Sequence, residues 1–282
     1  MADKKPRFSR SDRSQSRRAG GNSARRPGGG SGGGSGGRPG VEPGLKPDDI
    51  VIYGTHAVDA ALQNPDRRIT RILATRNAAD RLSNSGQTRG LEVEIVAPEM
   101  ISALAGADAV HQGMALIARP LETLDLHDIE DARFLVVLDQ VTDPHNVGAI
   151  IRSAVALGVD ALVTTHRNAA RETGLLAKTA SGGLDFIRLV HVPNLAQALV
   201  KLRDFGFVSI GLDSAAAEDL VNTLHGDKIA LVLGAEGQGL RRLTRERCDA
   251  LARLDMPGPI KSLNVSNAAA LSLYLTARHL GI

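Results

Sequence analysis

The chain has 282 residues, 43% hydrophobic but only 2% aromatic and without Trp, so a core must be built from Ala, Val, Leu and Ile. Its one cysteine, Cys248, excludes an intrachain disulfide framework and fits a reducing compartment; a lone thiol is more often a small core side chain than a nucleophile. The net charge of +3 hides an asymmetry, because residues 1–46 carry eleven Lys or Arg against three acidic residues, whereas the remainder carries 23 basic against 28 acidic.

Residues 1–46 are Arg-, Gly- and Ser-rich and hold almost no apolar side chains to offset ordering entropy, so they are expected to be a disordered basic tail. Such a tail is either a solubiliser or an electrostatic arm for nucleic acid, with salt-sensitive binding. No apolar segment follows the basic start as in a secretory signal. No run in the chain nears the roughly 18 apolar residues of a membrane span. A cytoplasmic protein without membrane contact is expected.

Residues 48–119 read as a small α/β unit. Tyr53-Gly54 precedes a helix over 56–62, closed by Asn64-Pro65. Strands are expected over 71–74 and 93–96, with a helix starting at Pro98. His111-Gln112-Gly113 then turns into a strand over 114–118. Residues 120–131, where acidic residues alternate with Leu, look like a linker. From residue 132 the pattern changes to continuous apolar runs at 134–138, 161–164, 187–192, 208–212 and 229–233, alternating with helical stretches such as 145–157 and 195–203. Runs of this kind are strands buried on both faces of a parallel sheet, with helices packed on each side. A long Ala/Leu helix is expected over 263–280.

Three loops in this second half place small and polar residues against apolar runs. In Asn146-Val147-Gly148-Ala149-Ile150-Ile151-Arg152 a helix opens beyond the carboxyl end of a strand, where open α/β sheets bind ligands. Asn146 and Arg152 lie six residues apart and need not share a face; capping by Asn146 and a solvent-facing Arg152 explain them equally well. Leu233-Gly234-Ala235-Glu236-Gly237-Gln238-Gly239-Leu240 follows another strand. Its glycines run in the reverse order of a dinucleotide fingerprint, which argues against a nicotinamide site. Glu236 between glycines either caps a neighbouring helix or faces a polar ligand. In the third loop, Met256-Pro257-Gly258-Pro259 forces an irregular path, and Ser262, Asn264 and Ser266 decorate the first turn of the last helix. Capping by Ser262 explains one of those three polar residues; a helix start that meets an anionic group explains more.

These three elements, in this order, resemble the signature motifs of the SpoU/TrmH family of RNA 2′-O-ribose methyltransferases, over about residues 48–282. The resemblance implies an α/β-knot fold, that is, a trefoil-knotted parallel sheet over 132–282 behind a ribosomal-protein-like RNA-binding domain. It implies a homodimer, S-adenosyl-L-methionine as methyl donor and no metal. It places Asn146, Arg152, Glu236, Ser262 and Asn264 at catalytic positions and Gly234, Leu254 and Leu263 at backbone contacts to the donor. The two-domain layout is most like the subgroup that methylates a guanosine ribose of 23S rRNA. A tRNA ribose methyltransferase and a non-catalytic RNA-binding assembly factor are the alternatives. Two departures stand out: Leu254-Asp255-Met256 where Ile-Pro-Met is usual, and Asn267 where an apolar residue is common. The family proposal makes Arg152 a general base, but a guanidinium stays protonated, so gripping a phosphate and stabilising alkoxide charge is the expected role.

Overall fold

Ile50–Tyr53 (β1) runs into Gly54, whose φ of 87° lets the chain turn at once into Thr55–Gln63 (α1). Ile69–Ala74 (β2), Arg76–Ser85 (α2) and Val93–Ile95 (β3) follow. Pro98–Ala105 (α3) begins with its proline in the first helical turn, where a missing N–H costs nothing, and Met114–Ala118 (β4) completes the set. The strands form a mixed sheet in the order β1-β4-β2-β3, with β4 antiparallel to both neighbours and all five of its residues buried. The computed structural model describes residues 45–282 except Gln87; the basic tail expected over residues 1–46 lies, but for its last two, outside the described residues.

Residues 120–131 are pinned along their length. Asp125 and Asp128 form a reciprocal cap on a short 3-10 turn, Leu126–Ile129, whose Leu126 and Ile129 are buried. Just before it, Leu124 donates its N–H to Leu189 O at 2.8 Å and bridges Val190, which covers part of an otherwise open sheet edge.

The second sheet contains Phe134–Asp139 (β5), Ala161–Thr165 (β6), Arg188–Val192 (β7), Val208–Leu212 (β8), Ile229–Gly234 (β9) and Ala250–Ala252 (β10). All pairs are parallel, in the order β10-β8-β9-β5-β6-β7. Between the strands lie Pro144–Ala156 (α4), Gly174–Thr179 (α5), Leu195–Asp204 (α6), Leu220–Thr223 (α7) and Arg242–Arg247 (α8), and Val265–Leu280 (α9) closes the chain. Alternate residues of β5 serve two cores: Phe134, Val136 and Leu138 pack beneath α4, α5 and α9, and Leu135 and Val137 pack with α6. Each fully buried aliphatic side chain stabilises by about 1.5–3 kcal/mol, which is how a core nearly free of aromatics suffices. Half-buried Cys248 belongs to this packing, against the Cβ-less face of Gly211, and burial pushes its thiol up to about 12, with the Asp249 and Asp139 charges adding to the effect.

The two sheets share one continuous core that includes Ile52 and Leu116 from the first and Val136 and Leu184 beside the second. Backbones touch at the seam. A Cβ on Gly174 would lie 2.1 Å from Val51 O, and one on Gly182 would lie 2.6 Å from His56 O. Gln112 Oε1 accepts both Thr55 N–H (3.0 Å) and Lys178 Nζ (3.2 Å), so the His111-Gln112-Gly113 turn is bonded to α5. Deeper in, Arg67 has a side chain with no exposure; its Nε donates to Asp185 Oδ1 at 2.8 Å and its Nη1 to Glu172 and to Arg119 O.

Candidate active site

The first motif begins two residues after an Asp-Pro pair, Asp143-Pro144. Asp143 accepts the N–H of His145 and caps α4, and Pro144 opens the helix. Gly148 serves packing, since a Cβ there would lie 2.6 Å from Thr179 Cβ, so α4 and α5 meet across it. Asn146 is half-buried at the helix start, while Arg152, nearly two turns on, is exposed with His145 and Ala156 on the outer face.

The second motif is a closed turn at the end of β9. Ala235 and Gly239 form an antiparallel bridge, and Gly237 and Gly239 adopt φ of 79° and 65°. A Cβ on Gly234 would stand 2.2 Å from the Gly239 carbonyl carbon, so the returning strand demands glycine there. The turn carries Glu236 outward at its tip. Its exit is anchored by a residue that sequence reasoning did not single out: the wholly buried Asp139, at the end of β5, accepts Arg241 N–H at 3.0 Å and Arg241 Nε at 2.6 Å. A carboxylate directly behind the apolar run 134–138 was the available signal.

In the third motif the helix starts later than expected. Asn264, not Ser262, is the cap, and α9 begins at Val265, so Ser262 and Leu263 lie in the exposed loop before it. Asn264 Oδ1 accepts both Ser266 N–H (2.9 Å) and Ser266 Oγ (2.6 Å). With its oxygen so engaged, its amide nitrogen must face the other way, and there it donates to Asn146 Oδ1 at 3.0 Å and Glu236 Oε2 at 3.3 Å. One side chain therefore joins all three motifs.

An open cleft of about 910 Å³ adjoins this junction and is lined by Gly234, Glu236, Leu254, Ser262, Leu263 and Asn264, among others. Of the eight residues expected at a site, these six line the cleft, and Asn146 touches it through Asn264. Arg152 is the exception: it does not line the cleft, and its side chain has no hydrogen bond or ion pair with any described residue. Among the described residues no group of three or more His, Cys, Asp or Glu gathers as for a metal ion, and no helix is long and apolar enough to cross a membrane.

Comparison with known proteins bears on both halves. Residues 133–274 match the model of the SpoU rRNA methylase family, and residues 51–124 match a model described as RNA 2′-O ribose methyltransferase substrate binding. The 23S rRNA (guanosine-2′-O-)-methyltransferase RlmB of Vibrio vulnificus is 36% identical over 237 residues, covering 80% of this chain and 96% of the relative. The RlmB of Escherichia coli K12 is 33% identical over 238 residues, covering 81% and 98%. The fold is similar to that of the SpoU methyltransferase AviRb from Streptomyces viridochromogenes, solved with AdoMet, at a TM-score of 0.70 and 24% identity over 82% of this chain and 90% of that one.

Proposed function

Because the chain belongs to the SpoU rRNA methylase family, we propose that it is an S-adenosylmethionine-dependent methyltransferase acting in the cytoplasm on a guanosine 2′-hydroxyl of 23S rRNA, the substrate its RlmB relatives are named for. The observation that carries this reading is the Asn264 amide, which ties motif to motif beside a cleft while capping α9. On this reading residues 48–119 are a ribosomal-protein-like RNA-binding domain, 120–131 a linker and 132–282 a catalytic domain whose loops form a trefoil knot. The basic residues 1–46 add a salt-sensitive arm.

The cleft suits the donor. Its volume falls within the ~300–1,000 Å³ usual for pockets of medium-sized ligands. Gly234, Leu254 and Leu263 would hold the donor. When bound, S-adenosylmethionine supplies a methyl group already activated as a sulfonium, which the ribose oxygen takes in one in-line displacement. What remains for the protein is alignment, worth on the order of 7–11 kcal/mol when geometry is right, and removal of the hydroxyl proton. Asn264 and Asn146 fix the ribose, with Ser262 at the mouth of the cleft, and Glu236, whose Oε1 accepts nothing from the described residues, receives the proton. Arg152 grips the adjoining phosphate and offsets alkoxide charge.

The position of Arg152 supports a homodimer in which it serves the partner's cleft. It lies with His145, Ala149 and Ala156 on the outward stripe of α4, whose small residues allow close approach. The neighbouring α9 exposes Leu271 (52%) and Tyr274 (54%) between Asn267 and Arg278, an apolar stripe that a second copy would cover. The functional test is transfer of isotope-labelled methyl groups from the donor to rRNA and tRNA, mapped by mass spectrometry. Ribose label on a 23S guanosine is expected. Label confined to tRNA would move the substrate, and RNA binding without label would leave an assembly factor. For Arg152, heterodimers of Arg152→Ala and Glu236→Gln subunits should regain activity through one intact cleft; inactive heterodimers would return Arg152 to its own protomer's site.

A further inference from the structure

The carboxyl edge of the large sheet holds a second opening, on the far side of the β5–α4 connection from the cleft. It is a cavity of about 240 Å³ at the ends of β5, β6 and β7. Its floor is apolar, with Leu138, Val147 and Leu184 among the lining residues, and His166, His191 and Arg171 face it as well. His166 and Arg171 are exposed and His191 half-buried, so the polar groups sit toward solvent. The two imidazoles meet edge to face, with centroids 5.7 Å apart and planes at 80°. Burial, helped by His166, pushes the His191 pKa down, which favours the uncharged ring that stacks.

Core packing accounts for the floor but not for two imidazoles and a guanidinium around one opening. Those groups suit a flat heteroaromatic ring with acceptor atoms on its edge. Unstacked RNA bases are held by stacking on such side chains, and arginine reads the O6 and N7 of guanine with two parallel hydrogen bonds. The volume is below that of pockets for medium-sized ligands and matches one ring system rather than a nucleoside. Position points the same way. Val147 lines the cavity, while the adjacent Asn146 is bonded to Asn264 at the cleft. A ribose held at Asn146 therefore has this cavity beside it for its base. The wall opposite α4 includes Leu121, whose N–H is bonded to Glu172 Oε2 at 2.8 Å, and Glu172 is in turn held by Arg67. The connecting segment 120–131 and the second half thus build the cavity, and Arg67 of the first half holds Glu172 in place.

We propose that this cavity receives the purine base of the nucleotide being methylated. The proposal rests on the reading of the cleft as a ribose methylation site. It is tested with the full chain and an RNA fragment in which the mapped target is guanosine, adenosine or the fluorescent base 2-aminopurine. Ala170→Leu, at the half-buried rim, fills the cavity. It should abolish the fluorescence change on RNA binding and lower kcat/KM on the order of 10²-fold, the cost of misplacing a reactant by about 1 Å, with donor affinity unchanged by calorimetry. Arg171→Gln, on an exposed loop where folding is not at stake, should narrow the preference for guanosine over adenosine by about ten- to a hundred-fold. Wild-type fluorescence and kcat/KM in Ala170→Leu, or an undiminished guanosine preference in Arg171→Gln, would overturn the proposal. A wild-type chain that methylates no RNA would instead overturn the function beneath it.

Discussion

Arg67→Met is the sharpest test of how the two halves are held together. The Arg67 side chain has no solvent exposure, and its partners Asp185 and Glu172 are 1% and 10% exposed. Removing the guanidinium leaves two carboxylates facing a methionine in a low-dielectric seam, a change that typically costs about 3–5 kcal/mol. For a chain of this size each kcal/mol lowers the melting temperature by roughly 2–4 °C, so the expected fall is roughly 6–20 °C. Arg68, one residue along, provides the control: its pair with Glu122 is 76% and 82% exposed, and Arg68→Met should cost no more than about 1 kcal/mol. Thermal unfolding followed by far-UV circular dichroism and calorimetry reads both variants. Since Arg67 leaves the loop after α1 whereas Asp185 and Glu172 flank α5, the transition of the variant should also broaden or split as the small sheet detaches. A variant that melts within about 2 °C of wild type, in one sharp transition, would show that the seam is held by its apolar contacts and that the ion cluster merely fills it.

Two further outcomes are expected. Gly234→Ala forces a methyl carbon onto the Gly239 backbone, which should cost about 1–3 kcal/mol of stability and weaken donor binding in calorimetry; unchanged donor affinity would mean the turn has slack to spare. With its pKa pushed to about 12, Cys248 should be thiolate in only about one molecule in ten thousand at pH 8. It should react with a disulfide reagent only after unfolding, and rapid labelling of the native protein would refute that placement.

The parallel sheet was legible because strands buried on both faces must be apolar at every position, as 134–138 and 229–233 are. The three polar loops were legible for the opposite reason, since packing does not call for Glu236 or Asn264 where they stand. The edge strand β10 was not foreseen: three residues, Ala250–Ala252, between Asp249 and Arg253 offer no run to notice. The helix α5 lay hidden in a stretch of small residues, and its Gly174 is explained only by Val51 O on the other sheet. The last cap moved from Ser262 to Asn264 because Asn264 reaches the Ser266 N–H, and hydroxyl and amide caps look equally good in sequence. Strand order was out of reach, as neighbours β5 and β9 are separated in the chain by three strands and four α-helices.

Central placement of β5 between β6 and β9 has a temporal consequence during translation. The partner that completes one side of β5 begins at Ile229, and the amide that closes the junction is at Asn264, 118 positions after Asn146. A nascent polypeptide emerging from the ribosome therefore exposes the unpaired apolar edge of β5 until nearly all of the chain has been made. Long-range parallel pairing of this kind is slow and prone to aggregation. Until Ser262, Leu263 and Asn264 have cleared the exit tunnel the cleft they line is incomplete, so it forms late and all at once.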